Sequence, residues 1–305
     1  MDSGHTARLA RARVALEGLS VADAFGGFFE FGRPDMVEFH LKNRRLPPTP
    51  WHYTDDTNMA LSIYQVLREH GEIRQDELAN SFAEHFDRTR GYGMGARALM
   101  VRMRKGAHWR DVSAILFGEG SYGNGGAMRV APVGAYFADD LASTIENARL
   151  SAEITHAHPE GVAGAIAVAI ATAYAWRLRE AGEKPSRSQF IDAVLPYIPE
   201  SEVRTKCAAA RVLAPDLPLR PDVVLAIGNG SGVTAQDTVP FVLWNAGECL
   251  DDYEQAMWQT ALAGGDVDTT CAMVGGITAS YTGTDGIPPE WVASREPLPD
   301  WALVG

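Results

Sequence analysis

Two short runs of oxygen-bearing side chains stand out, Thr54-Asp55-Asp56-Thr57 and Gly264-Gly265-Asp266-Val267-Asp268-Thr269-Thr270. Each leads into an apolar run compatible with a helix, so each reads as a helix N-terminus, with Thr54 or Asp55 capping the first. Adjacent carboxylates flanked by hydroxyls can equally act as hard oxygen ligands for Mg²⁺ or Mn²⁺. Taken alone, the first run is explained more simply by capping. In the second, the glycine pair leaves the backbone free to direct two carboxylates and a hydroxyl to one point. If the two runs met, their carboxylates would share a small volume, and mutual repulsion would oppose ionisation unless cations intervened. Together they suggest a binuclear oxygen-ligand site. It is not an EF-hand loop, because the glycine and terminal glutamate of that loop are missing.

Two further runs could serve a ligand. Gly118-Glu-Gly-Ser-Tyr-Gly-Asn-Gly-Gly126 exposes backbone N–H groups ahead of an apolar run beginning near Ala127. A phosphate could approach such glycines closely, with a helix dipole behind them, although a plain glycine-rich turn fits the residues as well. Thr155-His156-Ala157-His158-Pro159 carries histidines two apart, which do not share a helix face, so capping or core-lining roles suit them better than metal ligation.

The elements that must position these residues are helical. Ala60, Ile63, Tyr64 and Leu67 form a stripe of helical period that Leu78, Phe82 and Phe86 continue, and strand alternation is scarce. Helices are expected over roughly 7–25, 94–105, 140–153, 187–196, 202–213, 252–263 and 270–282. The run Gly161–Trp176 is apolar on every face and rich in small residues, and it stops at Arg177, short of the ~20 residues of a bilayer span. It reads as a buried helix entered through Pro159. Loops are expected at 31–50, 118–126, 214–223, 228–232 and 264–265, the first long enough to be a lid or binding segment.

Composition narrows the class. With 305 residues, 46% of them hydrophobic, and a net charge of −12, the chain is enzyme-sized and globular, and no internal linker divides residues 1–305. Its acidity disfavours broad electrostatic binding to nucleic acid. Cys207, Cys249 and Cys271 form no Cys-x-x-Cys pair, and the N-terminal segment lacks the apolar core of a secretory signal. The expectation is a cytoplasmic protein that does not engage a membrane.

Taken in order, Thr54-Asp-Asp-Thr57, Gly123-Asn-Gly-Gly-Ala-Met-Arg129, Ile154-Thr-His-Ala-His-Pro159 and Gly264-Gly-Asp-Val-Asp-Thr269 resemble the ADP-ribosylglycohydrolase family, over about residues 16–291. The resemblance implies an all-α orthogonal helical bundle with a binuclear site in a loop-lined cleft, two divalent cations, Mg²⁺ or Mn²⁺, and ADP-ribose or an ADP-ribosylated protein or small molecule as partner. It makes Thr54, Asp55, Asp56, Asp266, Asp268 and Thr269 the metal ligands, with Asp268 bridging. It places Gly93, Ser121, Tyr122, Gly123, Asn124, Gly125 and His156 along the substrate cleft, Tyr122 as a stacking partner for adenine. The family's Gly-Asp-Ala-x-Gly motif is Ala22-Asp23-Ala24-Phe25-Gly26 here, followed by Glu30, which resembles a mobile-loop glutamate of the family. Glu30, Asp55 and Asp56 are thereby candidates for proton transfer. Arg129 is expected in a structural ion pair.

Arg90-Gly-Tyr-Gly-Met-Gly95 is similar to the branch acting on serine-linked and polymeric ADP-ribose, whereas the dinitrogenase reductase-activating branch has an acid at the position of Gly93. The implied activity is metal-dependent hydrolysis of O-linked ADP-ribose, on serine, in polymer or as an acetyl ester. The rivals are arginine-linked ADP-ribose as substrate, a non-catalytic ADP-ribose-binding protein, and a binuclear-metal phosphohydrolase.

Overall fold

A computed structural model describes residues 3–213 and 221–304, and every regular element among them is helical. The fold is all-α, with β-type pairing limited to isolated bridges at Trp51–Arg295 and Gly123–Thr234. The first half comprises α1 (Ser3–Phe31), α2 (Pro34–Asn43), α3 (Asp55–His70), α4 (Gln75–Glu84), α5 (Met94–Arg104), α6 (Trp109–Ser113), α7 (Ala131–Tyr136) and α8 (Leu141–Glu153). The second comprises α9 (Pro159–Ala181), α10 (Arg187–Val194), α11 (Glu202–Ala210), α12 (Pro221–Ile227), α13 (Ala235–Glu248), α14 (Tyr253–Ala263), α15 (Val267–Thr282), α16 (Pro289–Ser294) and α17 (Asp300–Leu303).

The most extensive helix pairing joins α1 to α15, and glycines permit it. A β-carbon on Gly18 would lie 2.1 Å from Ala279 Cβ, and one on Gly275 would lie 2.3 Å from Ala22 Cβ. At the other end of the crossing, a β-carbon on Gly26 would meet Val267 O at 2.7 Å and Asp268 Cα at 2.8 Å. The last turns of α1 are thus laid directly on the first turn of α15. Phe25 fixes this end further, stacking on Trp291 at 4.5 Å and meeting the edge of Trp258 at 5.2 Å.

Helix α9 is long and apolar enough to cross a membrane by length and composition, but most of it is buried among α7, α8, α13 and α15. Pro159 occupies its first turn, and the His158 side chain accepts from Glu160 N at 3.1 Å as its N-cap.

Several boundaries differ from those expected. Helix α1 runs on to Phe31: Gly26, which reads as an end, is instead a place of close approach within the helix, and a β-carbon on Gly27 would make only ordinary contact with His52 and Thr54. The 31–50 stretch is not structureless: Pro34 opens α2 with its fixed φ. Helix α15 starts at Val267, so Asp268 and Thr269 stand on its first turn rather than in the loop before it. No helix was expected over α13, where Pro240 interrupts the sequence pattern; the proline is accommodated inside a buried helix. The expected 214–223 loop falls mostly on residues outside those described.

Candidate active site

Asp23, on α1, is completely buried and gathers the start of α3 around itself. Its carboxylate accepts from Thr54 N at 3.0 Å, Thr54 Oγ1 at 2.8 Å, Thr57 N at 3.1 Å and Thr57 Oγ1 at 2.5 Å. The Thr54 hydroxyl also accepts from Asp56 N at 3.4 Å, so Thr54 is the cap that the sequence allowed. Capping and clustering therefore coexist. Asp55 N donates to Arg90 O at 2.7 Å, tying this turn to the 90–95 loop.

The second acid run meets the first where the start of α15 reaches the start of α3. Thr269 Oγ1 donates to Asp56 Oδ2 at 3.4 Å, and Asp268 Oδ1 accepts from Thr269 N at 2.8 Å. Glu30, in the last turn of α1 rather than in a loop, accepts from Val267 N at 3.0 Å and so caps α15. Two groups of carboxylate oxygens lie within 4.8 Å of one another, Asp23–Asp56–Asp268 and Glu30–Asp266–Asp268, and Asp268 belongs to both. Asp55 belongs to neither.

These acids form no ion pair with lysine or arginine among the described residues, and their titration shows the strain. Burial pushes Asp55 up to about 8, with Asp23 and Asp266 adding repulsion. Burial, then the charges of neighbouring acids, pushes Asp56 and Asp268 well above the usual carboxylate range. Asp23 rises to about 6 through burial, despite its hydroxyl and amide donors, and Glu30 rises for the same reason. Asp56 Oδ1 is buried with no hydrogen-bond partner. Hard oxygen donors without a counter-cation, one of them orphaned, fit divalent cations of the Mg²⁺ or Mn²⁺ kind.

The glycine-rich loop is moored beside this centre. Asn124 Nδ2 donates to Asp266 Oδ2 at 2.6 Å and to Thr238 Oγ1 at 3.1 Å. Ser121 is buried and its hydroxyl accepts from Gly123 N at 3.2 Å, whereas Tyr122 is 45% exposed, with its ring edge-on to His158 at 5.5 Å. The helix dipole expected behind the loop is missing: a single 3-10 turn, Asn124–Gly126, follows, and α7 begins only at Ala131.

His156 packs under this loop. A β-carbon on Gly125 would lie 2.7 Å from its Cε1, and one on Gly123 would lie 3.2 Å from its Nε2, so glycine is required at 125 by close approach. Burial and the Arg129 charge push His156 down to about 3, which leaves the imidazole neutral at physiological pH. Its tautomer follows from its neighbours. Arg129 Nη2 donates to Thr155 Oγ1 at 2.8 Å, and that hydroxyl lies 2.7 Å from His156 Nδ1. Arg129 can only donate, and Nδ1 is the one acceptor among the described contacts of the Thr155 hydroxyl, so that hydrogen is satisfied by donation to Nδ1, which places the imidazole proton on Nε2, towards the glycines. Arg129 is not in the expected ion pair. It is fully buried, donates to Gly125 O at 2.9 Å and Ser151 O at 3.0 Å, and stands over the Phe82 ring.

Gly93 is the exposed N-cap of α5 and faces open space, so a side chain would fit there without strain. A chain of close contacts thus joins Glu30, Asp266, Asp268 and Asp56, and reaches Asn124 of the glycine-rich loop through Asp266. Asp23 is the residue that sequence reasoning passed over. Its signal was its place in Ala22-Asp23-Ala24-Phe25-Gly26, the motif that brings a carboxylate onto the inner face of α1.

Comparison with known proteins bears on this arrangement. A family model described as ADP-ribosylglycohydrolase matches residues 4–303. The chain is 31% identical over 333 residues to ADP-ribosylhydrolase ARH3 of Xenopus tropicalis, covering 96% of this chain and 93% of the relative. It is 29% identical to the human protein of that name, over 96% and 91% of the two chains. It is 25% identical to ADP-ribosylarginine hydrolase Tri1 of Serratia proteamaculans, over 93% and 75%. A solved structure titled ADP-ribosylglycohydrolase-related protein complex superposes with a TM-score of 0.66 at 23% identity, over 95% of this chain and 94% of that one, a likeness of fold.

Proposed function

Since the chain belongs to the ADP-ribosylglycohydrolase family and is a hydrolase of that kind, we propose that it cleaves the bond between the distal ribose of ADP-ribose and an oxygen of its acceptor, on serine, in polymer or as an acetyl ester. The observation that carries this reading is the pair of carboxylate groups sharing Asp268, moored to the glycine-rich loop through Asn124 and Asp266.

Thr54, Asp55, Asp56, Asp266, Asp268 and Thr269 would hold two divalent cations, Mg²⁺ or Mn²⁺. Such ions supply positive charge that orients ribose hydroxyls and acidifies a water. The remaining work belongs to the chain itself. The backbone N–H of Gly125 receives the diphosphate, Nε2–H of His156 donates from beneath it, and exposed Tyr122 offers a face to the adenine. Glu30, whose proton affinity burial raises, sits beside Asp266 and Asp268 and transfers a proton as the glycosidic bond breaks. Asp55 and Asp56 are the other proton-transfer candidates. Asp23 is fully engaged by Thr54 and Thr57 and holds the turn in place.

The O-linked preference is supported by the 90–95 loop, which brings glycines but no acid to hold a guanidinium leaving group, and by greater identity to the relatives named ARH3 than to the one named for arginine. Kinetics on matched serine- and arginine-modified peptides test it: kcat/KM should favour serine, and Gly93→Asp should shift the ratio towards arginine by about tenfold. Preference of the unaltered enzyme for arginine by about tenfold, near 1.4 kcal/mol, overturns the reading.

A further inference from the structure

At Thr54, which contacts Asp56 at the other end of the acid cluster from the Asp266–Asn124 contact, lies a groove of about 340 Å³ between the end of α1, the 48–53 segment and the 89–91 turn. Its walls include Phe28, Phe31, Pro50 and Trp51, and its inner end is formed by Thr54 and Gly91. A β-carbon on Gly91 would lie 3.5 Å from Asp55 Oδ1 and 3.7 Å from Phe31 Cζ, so this wall of the groove adjoins the acid-bearing turn at the start of α3. Phe31 is 65% exposed there, a large apolar side chain held at the groove by the helix that carries Glu30.

Charge identifies the occupant. The one cation lining the groove, Arg90, is already consumed: it pairs with Glu296, donates to Tyr53 O at 2.9 Å and lies 3.9 Å above the Tyr53 ring. Glu296 is consumed in turn by Arg90, by Tyr53 N at 3.0 Å and by His52 at 3.3 Å. Among its lining side chains the groove therefore offers no free arginine or lysine to a diphosphate and no carboxylate to a guanidinium. It offers apolar and aromatic walls to uncharged main chain and small side chains. A conjugate whose ADP-ribosyl half lies along the glycine-rich loop must send its acceptor out on the other side of the acids, where this groove begins.

We propose that the groove is an acceptor subsite, which takes the uncharged polypeptide segment flanking the modified residue. The inference rests on the hydrolase reading above, and the test separates the two. Two substrates with the same linkage are compared, an ADP-ribosyl-serine peptide with uncharged flanks and the blocked single amino acid, ADP-ribosyl-N-acetylserinamide. The unaltered enzyme should favour the peptide by about tenfold in kcat/KM. His52→Trp, which fills the groove, and Phe31→Ala, which removes a wall, should each bring the two substrates to within about twofold, by loss on the peptide. The same loss should appear in the Kd of the peptide conjugate for metal-free protein. No preference in the unaltered enzyme, equal losses on both substrates, or loss confined to polymeric ADP-ribose overturns the subsite alone. Failure to release ADP-ribose from either substrate overturns the hydrolase reading and the subsite with it.

Discussion

Asp56 is a buried carboxyl with one oxygen unpartnered and with Asp23, Asp55 and Asp266 acting on it. In the metal-free chain it holds its proton well above the range in which it would ionise when unfolded. The folded state thus binds more protons, and the stability associated with this group is full below the unfolded pKa of about 4 and is lost as pH rises through the folded value. Asp56→Asn keeps the shape and removes the ionisation, so its gain in Tm over metal-free wild type should be larger at about pH 8 than at about pH 5, while turnover is lost. A gain that shrinks with rising pH would contradict this account. What was legible at this scale was chemistry rather than contact. Thr54, Asp56, Asp268 and Thr269 were marked by type and spacing, whereas the task of Asp23 depends on four donors from another helix, and the role of Arg129 on carbonyls and a hydroxyl that no sequence pattern announces.

The crossing of α1 and α15 assembles the site, and Gly26 is its point of closest concern to function. A β-carbon there meets backbone of Val267 and Asp268, which cannot turn aside as a side chain could. Gly26→Ala should therefore cost about 1–3 kcal/mol of stability and displace Asp268 from its partners. Gly18→Ala strains the same pair of helices, 2.1 Å from Ala279 Cβ, but lies roughly 12 Å further along α1. Both variants should lower Tm, and only Gly26→Ala should lower kcat by about tenfold or more. Equal kcat in the two would mean that the crossing does not set the site. The sequence showed helical period in α3 and α4, whose apolar positions are regular, and marked α9 by an unbroken apolar run. It hid α13 behind Pro240, and it hid the last turns of α1 behind Gly26, whose purpose is contact with α15. It also left Asp268 outside a helix, since a glycine pair reads as a turn whether the helix starts two residues later or five.

For the molecule as a whole, the fold concentrates acids at one centre of a chain that is already acidic, with a net charge of −12, and it does so without an arginine or lysine pair among the described residues. Such an arrangement is costly unless cations complete it. Without them an anionic substrate approaches more weakly. The all-α class was readable from periodicity alone, and the meeting of two distant acid runs was anticipated from charge, but the groove beyond Thr54 was not, because it is formed by segments 28–31, 48–54 and 89–91 that share no pattern. The most direct test is release of free ADP-ribose from an O-linked conjugate by chelator-treated protein, before and after restoring Mg²⁺ or Mn²⁺, in wild type, Asp55→Asn and Asp268→Ala. Turnover should be absent without the cation and return with it in wild type. It should be lost more completely in Asp268→Ala than in Asp55→Asn, because Asp268 serves both carboxylate groups. Full turnover by the metal-free protein, or release of inorganic phosphate in place of ADP-ribose, would contradict the account.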